Sequence, residues 1–159
     1  MPRVLRIHVR APVRPTELPE RVREAILNLF PEAKLDAGRD AIEGEAPNLD
    51  RLAQLVRQYQ IPDTARGILL RGRRGATTQT TFLLGKQAAA AGAPNLGVQP
   101  GPLGEIEVTV QAETDRELLY AIYSVGFDTT VPEEWSRVPR EYRPAEADAP
   151  GPEIDEEHP

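Results

Sequence analysis

Arginine offers the most chemistry in this chain, because the residues that most nucleophilic enzymes use are scarce. Cysteine is absent, serine occurs only twice, and histidine occurs only at His8 and His158. Acyl transfer and related reactions need a nucleophile held beside a general base, and few such pairs can be built here. The sequence therefore predicts a protein that is not an enzyme and that uses no cofactor and no metal.

Two carboxylate pairs are the candidates for an opposing, catalytic interpretation. Glu43 and Glu45 share one face of a predicted strand, as do Glu105 and Glu107. Paired carboxylates can transfer protons or bind a hard cation. A solvated strand face is the commoner cause of such a pair, since acids avoid burial. An enzyme built on these pairs is the least favoured interpretation.

The basic residues are concentrated in two segments. Of the 19 bases, 17 are Arg, whose planar guanidinium matches phosphate, although a GC-rich genome also produces an Arg-rich composition. Residues 51–86 hold seven bases against one acid, and residues 1–23 hold six bases against two acids. An acidic total therefore does not exclude nucleic acid as a partner.

The net charge of −6 comes from the carboxyl-terminal residues. Residues 132–159 carry nine acids, three bases and six prolines. A segment so charged cannot bury enough surface to offset its ordering entropy. We expect a single domain over residues 1–131 and a disordered acidic tail over residues 132–159. Trp135 and Tyr142 would attach the first part of this tail to the domain. The tail either solubilises the protein or folds back on the basic residues and competes for them with a bound RNA.

Hydrophobic periodicity predicts the element order β-α-β-β-α-α-β-β-α. Helices are expected over residues 16–30, 48–59, 62–70 and 114–124, and strands over residues 3–11, 32–37, 41–46, 77–84 and 105–111. Thr16, Asn48 and Thr114 are the expected helix caps. Tyr59 and Phe82 fit apolar stripes and are expected in the core. This segregation predicts an α+β fold with a mainly antiparallel sheet, helices packed on one face and the other face open.

Nothing in the sequence indicates a membrane or export route. No apolar run approaches the roughly 20 residues of a membrane-spanning helix, and the first residues lack the apolar stretch of a signal peptide. We expect a cytoplasmic protein with no membrane partner.

Two interpretations of the first strand stay open. Arg6, His8 and Arg10 alternate with its apolar residues, and with Arg14 they could present a cationic sheet surface to phosphates. Alternatively, if the strand of residues 105–111 lies beside the first, Glu105 and Glu107 would neutralise Arg6 and Arg10.

Arg71, Arg73 and Arg74 cluster where the third helix is expected to end. Gly67 and Gly72 have the spacing of a phosphate loop, but a phosphate loop opens a helix, so we exclude nucleotide binding here. Bases at a helix carboxyl end also interact favourably with the helix dipole. Three bases followed by Gly75 predict an exposed, mobile cationic loop.

Four stretches, taken together and in order, carry a family resemblance: residues 11–31, 58–66, 82–89 and 102–106. As a set they resemble the archaeal group called Uncharacterised Protein Family 0201, over about residues 4–111. The resemblance implies a small α+β domain similar to a ribosomal protein fold that binds 5S RNA. It also implies an RNA-binding role, described as double-stranded-RNA-binding-domain-like and linked to the exosome. The matching positions are Arg14, Asp63, Arg66, Lys86 and Gln87.

Two positions depart from the family pattern. Pro62 stands where a polar or basic residue is usual, and Leu96 stands where an aromatic residue is usual. The resemblance also implies that some relatives are joined to a nucleotide-kinase-like domain, whose phosphate loop is not found in this sequence. Such a kinase would therefore be a separate partner.

The leading hypothesis is a non-catalytic RNA-binding protein that recognises structured RNA in RNA processing or ribosome-related assembly. A-form helices are recognised mainly through shape, phosphates and 2′-hydroxyls, which suits an Arg-rich, aromatic-poor surface. The alternative is an accessory subunit of an RNA-processing complex or of a nucleotide-kinase-like enzyme, whose acidic surface would meet the same arginines. The candidate RNA contacts are Arg6, Arg10, Arg14, Arg57, Arg66, Arg71, Arg73, Arg74, Lys86 and Gln87.

Overall fold

A computed structural model of the chain describes residues 5–75 and 78–125. The predicted acidic tail over residues 132–159, with Trp135 and Tyr142, lies outside the described residues.

One antiparallel sheet organises the described part of the chain. Its strands are β1 (Leu5–Pro12), β2 (Lys34–Ala37), β3 (Ala41–Ala46), β4 (Gln79–Leu84) and β5 (Ile106–Ala112). They lie in the order β2-β3-β1-β5-β4, so β1 is central and pairs with β3 on one side and β5 on the other. The strand that carries Arg6 and Arg10 therefore occupies the middle of the sheet.

Helices cover one face of this sheet. They are α1 (Pro19–Leu29), α2 (Asp50–Gln58), α3 (Pro62–Arg71), α4 (Lys86–Ala90) and α5 (Asp115–Ser124). Strand alternation separates the two faces: Ile7, Val9 and Ala11 are fully buried, whereas Arg6 and Arg10, on the alternate positions, are exposed. The predicted α+β fold, with helices on one face, is confirmed. The uncovered side, which bears Arg6 and Arg10, is called the open face below.

One expected cap and one expected core residue match the structure. Thr114 Oγ1 accepts the Glu117 N–H at 3.1 Å and caps α5. Asn48 Oδ1 accepts the Asp50 N–H at 3.0 Å, but it does so from the residue before the cap position of α2, which Leu49 occupies. Phe82 is buried between helices and sheet. These features depend on local spacing, which the sequence displays directly.

Three expectations are wrong. Thr16 does not cap α1, which begins at Pro19, a residue whose fixed φ suits a first helical position. Tyr59 is 48% exposed, because α2 ends at Gln58 and Gln60 turns the chain with a φ of +60°. The helix α4 was not expected, since five residues are too few to show a helical period.

Membrane insertion has no support among the helices described. None of them combines the length and the apolarity that crossing a bilayer would require.

Gly72 permits the close contact between the end of α3 and β4. Its carbonyl oxygen accepts the Thr81 N–H at 3.1 Å. A Cβ atom at this position would lie 2.6 Å from Thr80 Oγ1 and would also clash with the Thr81 carbonyl oxygen. Gly67, one turn earlier on α3, has only the mobile end of the Arg71 side chain within reach of a Cβ.

The two glycines should respond to alanine with opposite signs. Gly72→Ala should lower the free energy of unfolding by about 1–3 kcal/mol, because the fixed β4 backbone blocks the added methyl group. Gly67→Ala should raise it by about 0.5–1 kcal/mol, because alanine is the better helix former. Urea unfolding of both variants checks this, and a Gly72→Ala protein as stable as the original chain would contradict the close contact.

Candidate nucleic-acid interface

Lys86 lies inside the protein, contrary to the expectation of an exposed phosphate contact. Its side chain is 7% exposed. Its Nζ atom donates to the Pro12 and Leu103 carbonyl oxygens at 2.7 Å each, and to the Glu17 carboxylate at 2.9 and 3.1 Å. An ammonium has three donor hydrogens, which these acceptors use. Lys86 is therefore not available to a phosphate.

Glu17 is the anionic partner of Lys86. Its Oε1 atom also accepts the Arg14 N–H at 2.9 Å. Burial raises the pKa of the Glu17 carboxyl, but the hydrogen bonds from the Arg14 N–H and the Lys86 ammonium, with the charges of both residues, outweigh burial and hold the pKa below its ordinary value. The carboxyl therefore stays ionised, as the buried ammonium requires.

Glu105 also has a structural position. Its Oε1 accepts the Lys86 backbone N–H at 2.8 Å, and its Oε2 accepts the Gly101 N–H at 3.2 Å. It precedes β5 and does not pair with Arg6 or Arg10 across the sheet. Within the described residues, no group of three potential metal-ligating side chains comes together.

Arg10 faces acids on both neighbouring strands. In the antiparallel register it lies opposite Glu107 on β5 and opposite Glu43 on β3. Glu43 Oε1 lies 3.9 Å from Arg10 Nε and 3.4 Å from His8 Nε2. The structure therefore favours the cross-strand interpretation for Arg10, with Glu43 as a partner that sequence analysis did not identify.

Arg6 has different neighbours. It lies opposite Gln111 on β5, which in turn lies opposite Gln79 on β4. The two amides are joined, since Gln111 Nε2 donates to Gln79 Oε1 at 2.8 Å. This row of the open face has one positive charge and no acid. It marks the end of the sheet at which β1 and β4 begin and β5 ends, called the Arg6 end below.

The turn after α3 extends the positive charge of this row. It runs beside β4, to which Gly72 is hydrogen-bonded, and it passes through positive φ at Arg74 (+48°) and Gly75 (+87°). Arg71 and Arg74 are exposed, and Arg73 is half-buried with its Nε 3.5 Å from the Leu70 carbonyl oxygen. We call the row and the turn together the cationic surface. Its members are Arg6, Arg71, Arg73, Arg74, Gln79 and Gln111.

No carboxylate in the described ranges forms a salt bridge with the four arginines of the cationic surface. Its two glutamines were not among the predicted residues. Their outward positions follow from alternation along each strand, but their place beside Arg6 depends on a strand pairing that alternation does not reveal.

The remaining predicted contacts lie elsewhere. Arg66 is largely covered: it is ion-paired with Asp63, and its guanidinium lies 5.9 Å from the centre of the Tyr123 ring, which links α3 to α5. Arg57 is in the last turn of α2, at the other end of α3 from the cationic turn. Arg14 and the exposed Gln87 adjoin the Glu17–Lys86 pair. The ten predicted residues therefore do not form one patch.

Comparisons with known proteins identify several relatives. A UPF0201 protein of Methanothermobacter thermautotrophicus is 35% identical over 132 residues, which cover 81% of this chain and 96% of that protein. A UPF0200/UPF0201 protein of Archaeoglobus fulgidus is 36% identical over 104 residues, or 65% of this chain. The chain spans only 32% of that longer protein. No family model matches the chain.

Two crystal structures share the fold. A UPF0201 protein from Methanococcus jannaschii has a TM-score of 0.69 and 32% identity, over 76% of this chain and 92% of that one. An uncharacterized UPF0201 protein has a TM-score of 0.66 and 32% identity, over 78% and 94% of the two chains. The predicted likeness to a 5S-RNA-binding ribosomal protein stays a prediction.

Removing the buried ammonium should be costly. Lys86→Met should lower the free energy of unfolding by about 3–5 kcal/mol, because it leaves the Glu17 carboxylate without its partner. Lys34→Met is the matched control, since Lys34 is exposed on β2, and it should change stability by less than about 0.5 kcal/mol. Similar losses in urea unfolding for both variants would show that the Lys86 contacts do not matter.

The lowered pKa of Glu17 makes the free energy of unfolding fall with pH under acidic conditions. Because the folded pKa lies below the ordinary value of 4.5, the unfolded chain takes up the proton first. The contribution is complete above pH 4.5 and is lost as the pH falls through the folded pKa. Urea midpoints of Glu17→Gln should therefore decline less steeply below pH 4.5 than those of the original chain, and parallel declines would count against this assignment.

Proposed function

The chain belongs to the UPF0201 family of archaeal proteins, and we propose that it is a non-catalytic RNA-binding protein that contacts structured RNA through the cationic surface. The observation that carries the proposal is the position of four arginines around an acid-free row at one end of an open sheet face. The family relationship supplies the fold, and the charges supply the argument for RNA.

Phosphate is the ligand that the chemistry of this surface fits best. The guanidinium groups of Arg71 and Arg74 are exposed, fixed in charge and able to donate two parallel hydrogen bonds to phosphate oxygens. Gln79 and Gln111 between them and Arg6 carry amides that can both donate and accept. A ribose 2′-hydroxyl also donates and accepts, so RNA offers these amides a partner that DNA lacks.

Single-strand stacking fits the open face less well. Stacking platforms need aromatic rings on which successive bases lie. The outward residues of β1, β4 and β5 in the described chain include no Phe, Tyr or Trp. We therefore propose that the ligand is a structured RNA, held by its backbone.

The acids of the open face would restrict where on that face the RNA binds. Glu43, Glu107 and Asp36 lie in the row of Arg10, at the end opposite Arg6. A phosphate there would face three carboxylates at close range. RNA should therefore lie at the Arg6 end and extend over the turn after α3.

Arg6 and Arg10 make a matched test, because they share a strand and a face but differ in their neighbours. Arg6→Gln should weaken binding of a labelled RNA duplex by about two- to five-fold at low salt. It should also lower the magnitude of the log–log salt slope by about 0.7–0.9. Arg10→Gln should leave both unchanged. Three results would contradict the proposal: equal effects of the two substitutions, no binding at about 50 mM salt, or binding that does not depend on salt.

The turn can be tested in the same titration. Arg73→Gln with Arg74→Gln should weaken the duplex further, by about five- to twenty-fold relative to the original chain. Arg39→Gln, in the exposed turn between β2 and β3 at the opposite end of the sheet, is the control for a simple change of net charge. An equal loss of RNA affinity in the Arg39→Gln control would show that the effect comes from net charge and not from the turn.

The cellular setting is part of the proposal. We place the protein in the cytoplasm, in RNA processing or ribosome-related assembly, with an exosome-linked complex as one setting. An accessory-subunit role is the second candidate, favoured by the alternating charges of Glu43, Arg10 and Glu107 on three adjacent strands, which suit a protein partner of complementary pattern. Affinity capture with and without nuclease separates the two: RNA-dependent partners vanish on treatment, and direct partners remain.

A further inference from the structure

We propose that residues 144–159 of this same chain bind the cationic surface and compete there with RNA. The competition rests on the proposed RNA-binding function, whereas the intramolecular contact does not. The occupant is a named segment of the chain that lies outside the described residues, and its sequence supplies the chemistry.

All the excess negative charge of the chain belongs to this segment. Residues 132–143 hold three acids and three bases and are neutral, whereas residues 144–159 hold six acids and neither Lys nor Arg. Four of the six lie within five residues, which gives the end of the segment a charge density like that of a short nucleic acid strand. The acids are Glu146, Asp148, Glu153, Asp155, Glu156 and Glu157.

The cationic surface is the complementary partner in the described structure. Its four arginines have no carboxylate partner among the residues described, whereas Arg10, Arg66 and Lys86 each have one. Exposed ion pairs are individually weak. Several of them between a tethered anion and a fixed cationic surface act together, so the contact depends on the number of charges and on the tether.

The position at which the described chain ends permits the contact. Only residues 113–114 join the end of β5 to α5, so α5 begins at the Arg6 end of the sheet, and its 10 residues carry the chain no more than about 15 Å away from there. The cationic surface is at that same end of the sheet, so the distance that the following residues must span is at most about one strand length, or roughly 25 Å for seven residues. Glu146 follows Val125 by about 21 residues, which can span up to roughly 70 Å. The chain is long enough to pass around the sheet edge.

The consequence is a threshold for RNA. A segment tethered to its own binding surface has an effective concentration near the millimolar range, so a weak contact suffices to occupy the arginines. An RNA that meets all four at once displaces the segment, and one that meets only one or two does not. Removing the six charges should therefore strengthen RNA binding by about 3- to 10-fold at low salt.

The test uses the full-length chain and two variants of it. In the neutral variant the six acids are replaced by Asn and Gln at unchanged length, and in the shuffled variant residues 144–159 are reordered with all six acids kept. Backbone amide chemical shifts of the three proteins are compared without RNA. The affinity of each for a labelled RNA duplex is then measured at about 50 and 200 mM salt.

The two readouts separate the two proposals. Outside the altered residues 144–159, shift differences between the full-length chain and the neutral variant should be confined to Arg6, Gln79, Gln111 and residues 71–75, and the shuffled variant should match the full-length chain there. The neutral variant should bind RNA more tightly at low salt, with the advantage shrinking toward one at high salt. Shifts without any RNA binding would keep the contact and reject the RNA function. If RNA binds but the full-length chain and the neutral variant have the same shifts in the described residues, or the same affinity for RNA, the proposal of a competing segment is overturned.

Discussion

The buried Lys86 ammonium is the contact on which the local arrangement of this fold depends. A buried charge is strongly destabilising unless it is paired and hydrogen-bonded. Lys86 meets that condition only when the end of β1, the turn before α1 and the loop before β5 all deliver their acceptors, at Pro12, Glu17 and Leu103. The Glu105 carboxylate also accepts hydrogen bonds from the backbone N–H groups of Lys86 and Gly101. One side chain therefore joins its own segment to two others, residues 12–17 and the loop at Leu103, that lie 17 to 74 residues away.

The pairing of β1 with its two neighbours decides how charge is distributed on the open face. With β1 in the observed register, Arg10 falls between Glu43 and Glu107, and Arg6 falls beside Gln111. A shift of one residue would exchange the apolar and polar faces of the strand, and Ile7 and Val9 in the core oppose such a shift. The same packing that buries the apolar face thus places one arginine between two acids and the other beside an amide.

Local features of this fold could be predicted from the sequence, whereas long-range ones could not. The alternation of β1, the start of α3 at Pro62 and the Thr114 cap are each written in a few adjacent residues. The burial of Lys86 is different, because its acceptors lie 17 to 74 residues away and no local pattern marks a lysine for burial. The same holds for the candidate site, where Arg6 and the turn after α3 are brought to the same end of the sheet only through the pairing of β1, β5 and β4. A family resemblance identified Lys86 as important but could not distinguish a buried ion pair from a phosphate contact.

The central claim is that structured RNA meets this protein at the Arg6 end of the open face. The most direct measurement is a titration of an unlabelled RNA duplex into the isotope-labelled full-length chain, followed residue by residue through amide chemical shifts. The account predicts progressive changes at Arg6, Gln79, Gln111 and residues 71–74, with Arg10, Glu43 and Lys86 unmoved. Changes centred on Arg10 and Glu43, or no changes at low salt, would contradict it.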